Sequence, residues 1–160
     1  MYLIGLFGYI LLFQTHIITN VPFTKQHVSL CGPAVLTSLM IFYGENVDQE
    51  TIAKEIFSEK LRGTLITDME NYAKKRGFKT LLARGTIQDI KNYISQNKPV
   101  IVLVDIGFWW ISKLHYLLVF GFDSEGFVVH NGIEENKRYS YNVFDKIWTK
   151  AGCVYLLISR

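Results

Sequence analysis

The chain has 160 residues, 49% of them apolar and 14% aromatic, which suits one well-cored domain, is short for two, and excludes a disordered chain. Its 17 basic and 14 acidic residues leave a net charge of +3 and are scattered without a basic run, which argues against a nucleic-acid partner. The two cysteines, Cys31 and Cys153, lie in unlike contexts and outside any CxxC pair, so neither a zinc centre nor a redox pair is expected and no cofactor is implied.

Residues Met1 to Phe13 carry no charged side chain and are almost wholly apolar. The run is too short for a full membrane span, which needs about 20 residues, and is closer in length to the hydrophobic region of an export signal. It lacks preceding basic residues and a clear A-x-A site, so a buried first helix or strand is the competing reading. The expectation is an export signal or short membrane anchor over residues 1–19, followed by one domain over 20–160 whose membrane association, if any, runs through that segment.

Val21-Pro22-Phe23 reads as extended, because proline fixes its own φ and biases its predecessor away from helix. From Cys31 onward, Ala34, Val35, Leu36, Leu39, Met40 and Phe42-Tyr43 fall at helical spacing, with Gly44 as a stop, which predicts a central buried helix. Asp48 to Glu59 begins with a capping residue and sets Ile52, Ile56 and Phe57 on one side. Thr67-Asp68-Met69-Glu70 has the letters of a capping box, opening a helix that closes on Lys74-Lys75-Arg76-Gly77.

The texture changes at Phe78. Phe78–Ala83 predicts a strand, Thr86–Asn97 a helix, and the β-branched run Pro99–Asp105 a buried strand. Strands are expected at Leu114–Phe122, Gly126–His130 and Cys153–Ile158, with a short helix around Tyr141–Lys150. Helices first and strands later predict an α+β fold, an antiparallel sheet covered by the N-terminal helices.

A thiol acts as a nucleophile through its thiolate, which a helix N-terminus or a neighbouring imidazolium favours. Cys31 has the first by position; Gly32 allows close backbone approach, and Pro33 suits a first helical turn. Taken alone, Cys31 reads equally well as a reactive thiol or as a packed core residue, with a disulfide to Cys153 as the weaker alternative. Of four histidines, His16 falls in the leader, His27 precedes Cys31, and His115 and His130 stand at the start and end of strands. His115 is the best placed for a base, at a sheet edge, and His130 reads more readily as structural. Asn131, at the end of the following strand, is a candidate to orient His115, with Asp105 as the alternative. Gln26 and the Cys31 N–H are candidates to hold an oxyanion. Trp109-Trp110 reads as a mobile loop beside the cleft, with core packing or contact with a membrane surface as alternatives, and Cys153 as a core residue.

VPFTKQHVSLCGPAVLTSLMIFYG and HYLLVFGFDSEGFVVHNG together resemble the papain-like cysteine peptidase family 39, the bacteriocin-processing or double-glycine leader peptidases, in a stand-alone form without a transporter. The resemblance covers Val21 to the C-terminus. It implies a papain-like fold and a peptide or protein substrate, possession of a thioester intermediate, and a place in the bacterial cell envelope or periplasm. It also implies roles: Cys31 nucleophile, His115 base and acid, Asn131 orienter and Gln26 oxyanion donor. Transporter-linked members usually have one more residue between Gln and Cys, an acidic residue where this chain has Leu30, and Asp-Pro in place of Asn131-Gly132. Two other readings accompany this one: a catalytically silent domain that binds peptide, and a papain-like amidase or acyltransferase acting on a non-peptide substrate.

Overall fold

The computed structural model describes residues 14–160; the apolar run Met1–Phe13 lies outside the described residues. Its elements are β1 (His16–Ile17), α1 (Cys31–Phe42), α2 (Gln49–Ile56), β2 (Phe57–Ser58), β3 (Gly63–Thr64), α3 (Ile66–Lys75), β4 (Lys79–Arg84), α4 (Ile87–Ser95), β5 (Val100–Asp105), β6 (Leu114–Phe122), β7 (Gly126–His130), β8 (Lys137–Ser140), α5 (Tyr141–Lys150) and β9 (Val154–Ser159). The α+β architecture is the one expected from the order of helical and strand patterns.

The main sheet runs β4-β9-β5-β6-β7-β8, antiparallel throughout, with β1 also paired to β6. Every residue of β6 after Leu114, and every residue of β7, is buried. Because successive strand side chains point to opposite faces, both faces of the central strands are covered. Helix α1 packs on β6 and against α2 and α3, while α4 and α5 contact β5 and its neighbours. Helix α1 is buried continuously from Gly32 to Met40, so it is a core helix and not an amphipathic one. Its C-terminal neighbour Tyr43 reaches across to donate to the Ile158 carbonyl at 2.8 Å.

Capping accounts for several boundaries. The Asp48 carboxylate accepts from the Thr51 N–H at 2.7 Å, and Thr86 forms a capping box with Asp89. The box expected at Thr67 to Glu70 does not form. Helix α3 starts two residues earlier, with Leu65 in the capping position, and Glu70 is taken by Lys74 and by the Thr80 hydroxyl.

Four strands are absent from the sequence reading. Helix α2 ends at Ile56, and the next two residues pair with Gly63–Thr64 in a small hairpin. Strand β8 alternates half-buried and exposed residues. Strand β1 pairs His16 with Phe122 and Ile17 with Gly121, continuing past the point where β5 leaves β6. Ile18 then donates to the Phe120 carbonyl and enters the core. The folded unit therefore takes in residues 16–18, which the sequence reading had placed in a leader of residues 1–19. Among the described residues no helix is long and apolar enough to cross a membrane.

Candidate active site

Cys31 is the first residue of α1, behind an N-cap, Leu30, that offers no side-chain oxygen. The β2–β3 hairpin lies over this helix end: a Cβ added at Gly32 would sit 2.9 Å from the Thr64 Cβ. Gly32 is thus needed for close approach, and what approaches is Thr64. Both cysteines are free, so no disulfide joins Cys31 to Cys153.

Helix α1 packs on β6, whose second residue is His115. The main-chain N–H of Tyr116, next to His115, acts on the Cys31 thiol together with the N–H groups of Gly32 and of Cys31 itself. These donors and the charge of Lys113 favour the thiolate, yet burial outweighs them and pushes the thiol above its ordinary range. Burial likewise holds His115 below its ordinary value, against the opposing effect of its Asn131 hydrogen bond and with the help of nearby Lys113. Burial thus disfavours the charged form of each group.

His115 is only 7% exposed, and its Nε2 lies 2.6 Å from the main-chain carbonyl oxygen of Asn131. A carbonyl can only accept, so Nε2 carries the proton and the lone pair of the neutral ring is on Nδ1. The order of strands leads one to expect an orienting group at Asn131, and the contact His115 makes there is to its main-chain carbonyl. Its side-chain oxygen instead accepts from the N–H groups of Ile133 and Glu134, at 2.8 and 2.6 Å, shaping the turn that aims the carbonyl. Asp105, the alternative orienter, is engaged elsewhere. It accepts from Gly107 N–H, Ser112 Oγ and Lys113 N–H, and these bonds hold it well below the usual carboxylate range.

Those bonds brace the loop from Ile106 to Lys113, which the Ile106 N–H to Lys113 carbonyl and Ile111 N–H to Phe108 carbonyl bonds also close. These bonds close the base of the loop expected beside the cleft. At its tip Trp109 and Trp110 are 72% and 82% exposed, flanked by exposed Phe108 and Ile111.

Gln26 reaches the site from the other side. Its N–H donates to the Gly132 carbonyl at 2.7 Å, and its side-chain oxygen is buried against Gly132 with no hydrogen-bond partner among the described residues. Gly132 has φ +80°, and a Cβ there would lie 2.5 Å from that oxygen. The remaining histidines are elsewhere. His16 pairs with Asn97 at the surface, and exposed His27 pairs with Glu50. Cys153 is half-buried, with its sulfur 3.7 Å from the Thr149 hydroxyl.

His130 is 1% exposed and fully bonded: Nε2–H donates to the Val21 carbonyl at 3.1 Å and Nδ1 accepts from the Asn136 N–H at 3.3 Å. It stacks on Phe120 and Phe23, tying the N-terminal segment to the loop beyond Asn131. Burial holds its pKa below 6.5, as it does for His115. The unfolded chain then binds protons more readily than the folded one, so stability is full above about pH 6.5 and is lost as pH falls below it. A thermal melt series should show Tm falling below that pH, with a shallower slope in His130→Phe; an unchanged slope in the variant would remove His130 from the account.

Thr64, the Tyr116 N–H and Gln49, whose amide bonds the main chain on both sides of Gln26, escaped the sequence reading. Main-chain groups have no letter, and a glutamine beginning a helix reads as a solvated residue. No cluster of three or more metal-ligating side chains occurs among the described residues.

Residues 18–156 match the Peptidase C39-like family. The chain belongs to that family. Among solved structures, this C39-like chain is similar to a putative C39-like peptidase from Bacillus anthracis, with TM-score 0.77 and 16% identity, covering 92% of this chain and 98% of that one. It is similar to the peptidase domain of Streptococcus ComA, a bi-functional ABC transporter involved in a quorum-sensing pathway, with TM-score 0.72, 25% identity and coverage of 87% and 98%. A third similar structure is a double-glycine motif protease from an AMS/PCAT transporter in complex with its leader peptide, with TM-score 0.71, 17% identity and coverage of 91% and 99%. Comparison with curated protein sequences gave no match. The C39-like assignment agrees with the family resemblance carried by the Cys31 and His115 segments.

Proposed function

We propose that this C39-like chain is a cysteine peptidase that hydrolyses a peptide bond through a thioester. The observation that carries the reading is the 2.6 Å bond from His115 Nε2–H to the Asn131 carbonyl, which leaves Nδ1 as the base beside a strand backbone that also contacts the Cys31 thiol. In the first step Nδ1 takes the thiol proton as sulfur attacks the scissile carbonyl carbon. The Cys31 N–H and the Gln26 side-chain amide hold the developing oxyanion. The imidazolium then protonates the leaving amine nitrogen as the C–N bond breaks, leaving an acyl thioester. Water gives a proton to Nδ1 and attacks the acyl carbon; the carboxylic acid leaves and the thiol is restored.

Family membership and the leader-peptide complex of the double-glycine protease support a peptide substrate. The test is a peptide library profiled with wild type and Cys31→Ala. The expected result is cleavage by the wild type alone, at a site that reveals whether Gly-Gly is preferred. Capture of peptides without cleavage would turn the reading to a binding domain. Met1–Phe13 is proposed to export or tether the chain in the cell envelope, which fractionation and N-terminal sequencing of the native protein check.

Gly132→Ala tests the Gln26 part of the site. A methyl 2.5 Å from the Gln26 oxygen must push that side chain out of place. kcat should fall about 10- to 100-fold, a share of the loss expected on removing an oxyanion donor. The left-handed backbone adds a loss of about 1–2 kcal/mol in stability. Denaturant melts and steady-state kinetics on the same preparation separate the two effects.

A further inference from the structure

We propose that Gln49 is the positioning residue of the loop that carries Gln26, holding that side chain in register for oxyanion binding without itself meeting substrate. This rests on the reading of Gln26 as oxyanion donor.

Gln49 opens α2, a position where a glutamine ordinarily faces water, yet it is 5% exposed. Its side-chain oxygen accepts from the His27 N–H at 3.0 Å, and its side-chain nitrogen donates to the Lys25 carbonyl at 2.8 Å. One amide therefore grips the main chain on both sides of Gln26. The pairing also fixes which end of the amide is which, since a flipped amide would set donor against donor and acceptor against acceptor. Gln26 itself is tied by its own N–H to the Gly132 carbonyl, 2.7 Å away. Three consecutive residues of the loop are thus fixed by two anchors. One is the start of α2, whose own geometry is set by the Asp48 cap on Thr51. The other is the turn whose preceding carbonyl, that of Asn131, holds His115.

The two anchors do different chemical work. Gly132 sets the distance between the Gln26 loop and the His115 turn, and Gln49 sets the rotation of the loop about its own axis. A loop gripped at only one flank can swivel, and a swivel of the backbone carries the Gln26 amide off the oxyanion by the ångström or so that such donors do not tolerate. Only glutamine presents a carbonyl oxygen and an NH2 group together at this reach. Glutamate keeps the shape but turns a carboxylate onto the Lys25 carbonyl; methionine keeps the length and loses both bonds.

Gln49→Glu and Gln49→Met test the proposal, assayed with a fluorogenic form of whichever library peptide the wild type cuts fastest. Expected is a fall in kcat of about 10- to 100-fold with KM changed little, because the oxyanion forms only on the way to the transition state. Alkylation of Cys31 by iodoacetamide, which builds no oxyanion, should keep its wild-type rate in both variants. In a Gln26→Ala background either substitution should add almost nothing, since the group being positioned is already gone. Near-ultraviolet circular dichroism and melting curves establish that each variant is folded. Three outcomes overturn the proposal: wild-type kcat in both variants, an equal loss of alkylation rate, or full additivity with Gln26→Ala. If Gln26→Ala alone leaves kcat intact, the oxyanion reading falls first and takes the positioning role with it. If Gln26→Ala is costly and the Gln49 variants are silent, only the positioning role falls. A wild type that cuts no peptide in the library overturns both.

Discussion

Cys31→Ala and His115→Ala should each lower kcat/KM by about a thousandfold or more, whereas Asn131→Ala should cost about tenfold or less. On the proposed mechanism the first two remove the nucleophile and the base outright. The third removes a side chain whose oxygen accepts from Ile133 and Glu134, while the carbonyl that takes the His115 Nε2–H belongs to the backbone and survives the substitution. What is lost is some stiffness in the turn, and one or two hydrogen bonds at about 1 kcal/mol each set the scale of the effect. In papain-like enzymes whose orienter is a side chain the ranking would be different, so the contrast is diagnostic. Steady-state kinetics on folded, purified variants decide it: an Asn131→Ala enzyme as damaged as His115→Ala would return the orienting role to the side chain.

The second large effect concerns pH. Burial raises the Cys31 thiol and lowers His115 from their ordinary values, so each group favours its neutral form. The rate of alkylation by iodoacetamide should therefore climb about tenfold per pH unit from pH 5 to 8, following the thiolate fraction of an acid whose pKa lies above that range. A preformed thiolate–imidazolium pair would instead give a plateau across those pH values, and observing one would sink the neutral-pair account. The same pair governs turnover. His115 must be unprotonated to accept the thiol proton, so the acid limb of kcat/KM should have its midpoint below pH 6.5. The two limbs belong to the coupled pair, and the sign of each displacement is what the profile tests.

The parts of this molecule that could be read from its letters are those where burial and chain direction leave a periodic trace. The run Val100–Asp105 announces β5 because its strand is covered on both faces and filled with branched side chains. The helix from Cys31 is announced by its apolar spacing and by Gly44, and the positions of His115 and Asn131 follow from two strands and the short turn between them. Where the trace is missing, the reading fails for identifiable reasons. Strands β1, β2 and β3 are two residues each, too short for alternation to accumulate. The letters Lys137-Arg138-Tyr139-Ser140 of β8 are mostly polar, as suits the outer strand of the sheet. The Thr67–Glu70 pattern has the spacing of a cap, but Glu70 bonds Lys74 and Thr80 instead. The orienting carbonyl of Asn131 and the N–H of Tyr116 are common to every residue type, so no sequence marks them.

The pairing of β6 with β5, β7 and β1 has a kinetic side. Cys31 and the His115 segment are contributed by opposite halves of the chain, and no local contact can bring them together. Forming the site requires long loops to close around a central strand, and such non-local pairing is the slow part of folding. On the proposed mechanism, a nascent or refolding chain that has built only its N-terminal helices has its thiol without His115 and is inactive. Recovery of activity after dilution from denaturant should accordingly track the slowest phase seen in sheet formation and lag the helical signal. On the proposed reading, the topology delays activity until the sheet that carries His115 is complete.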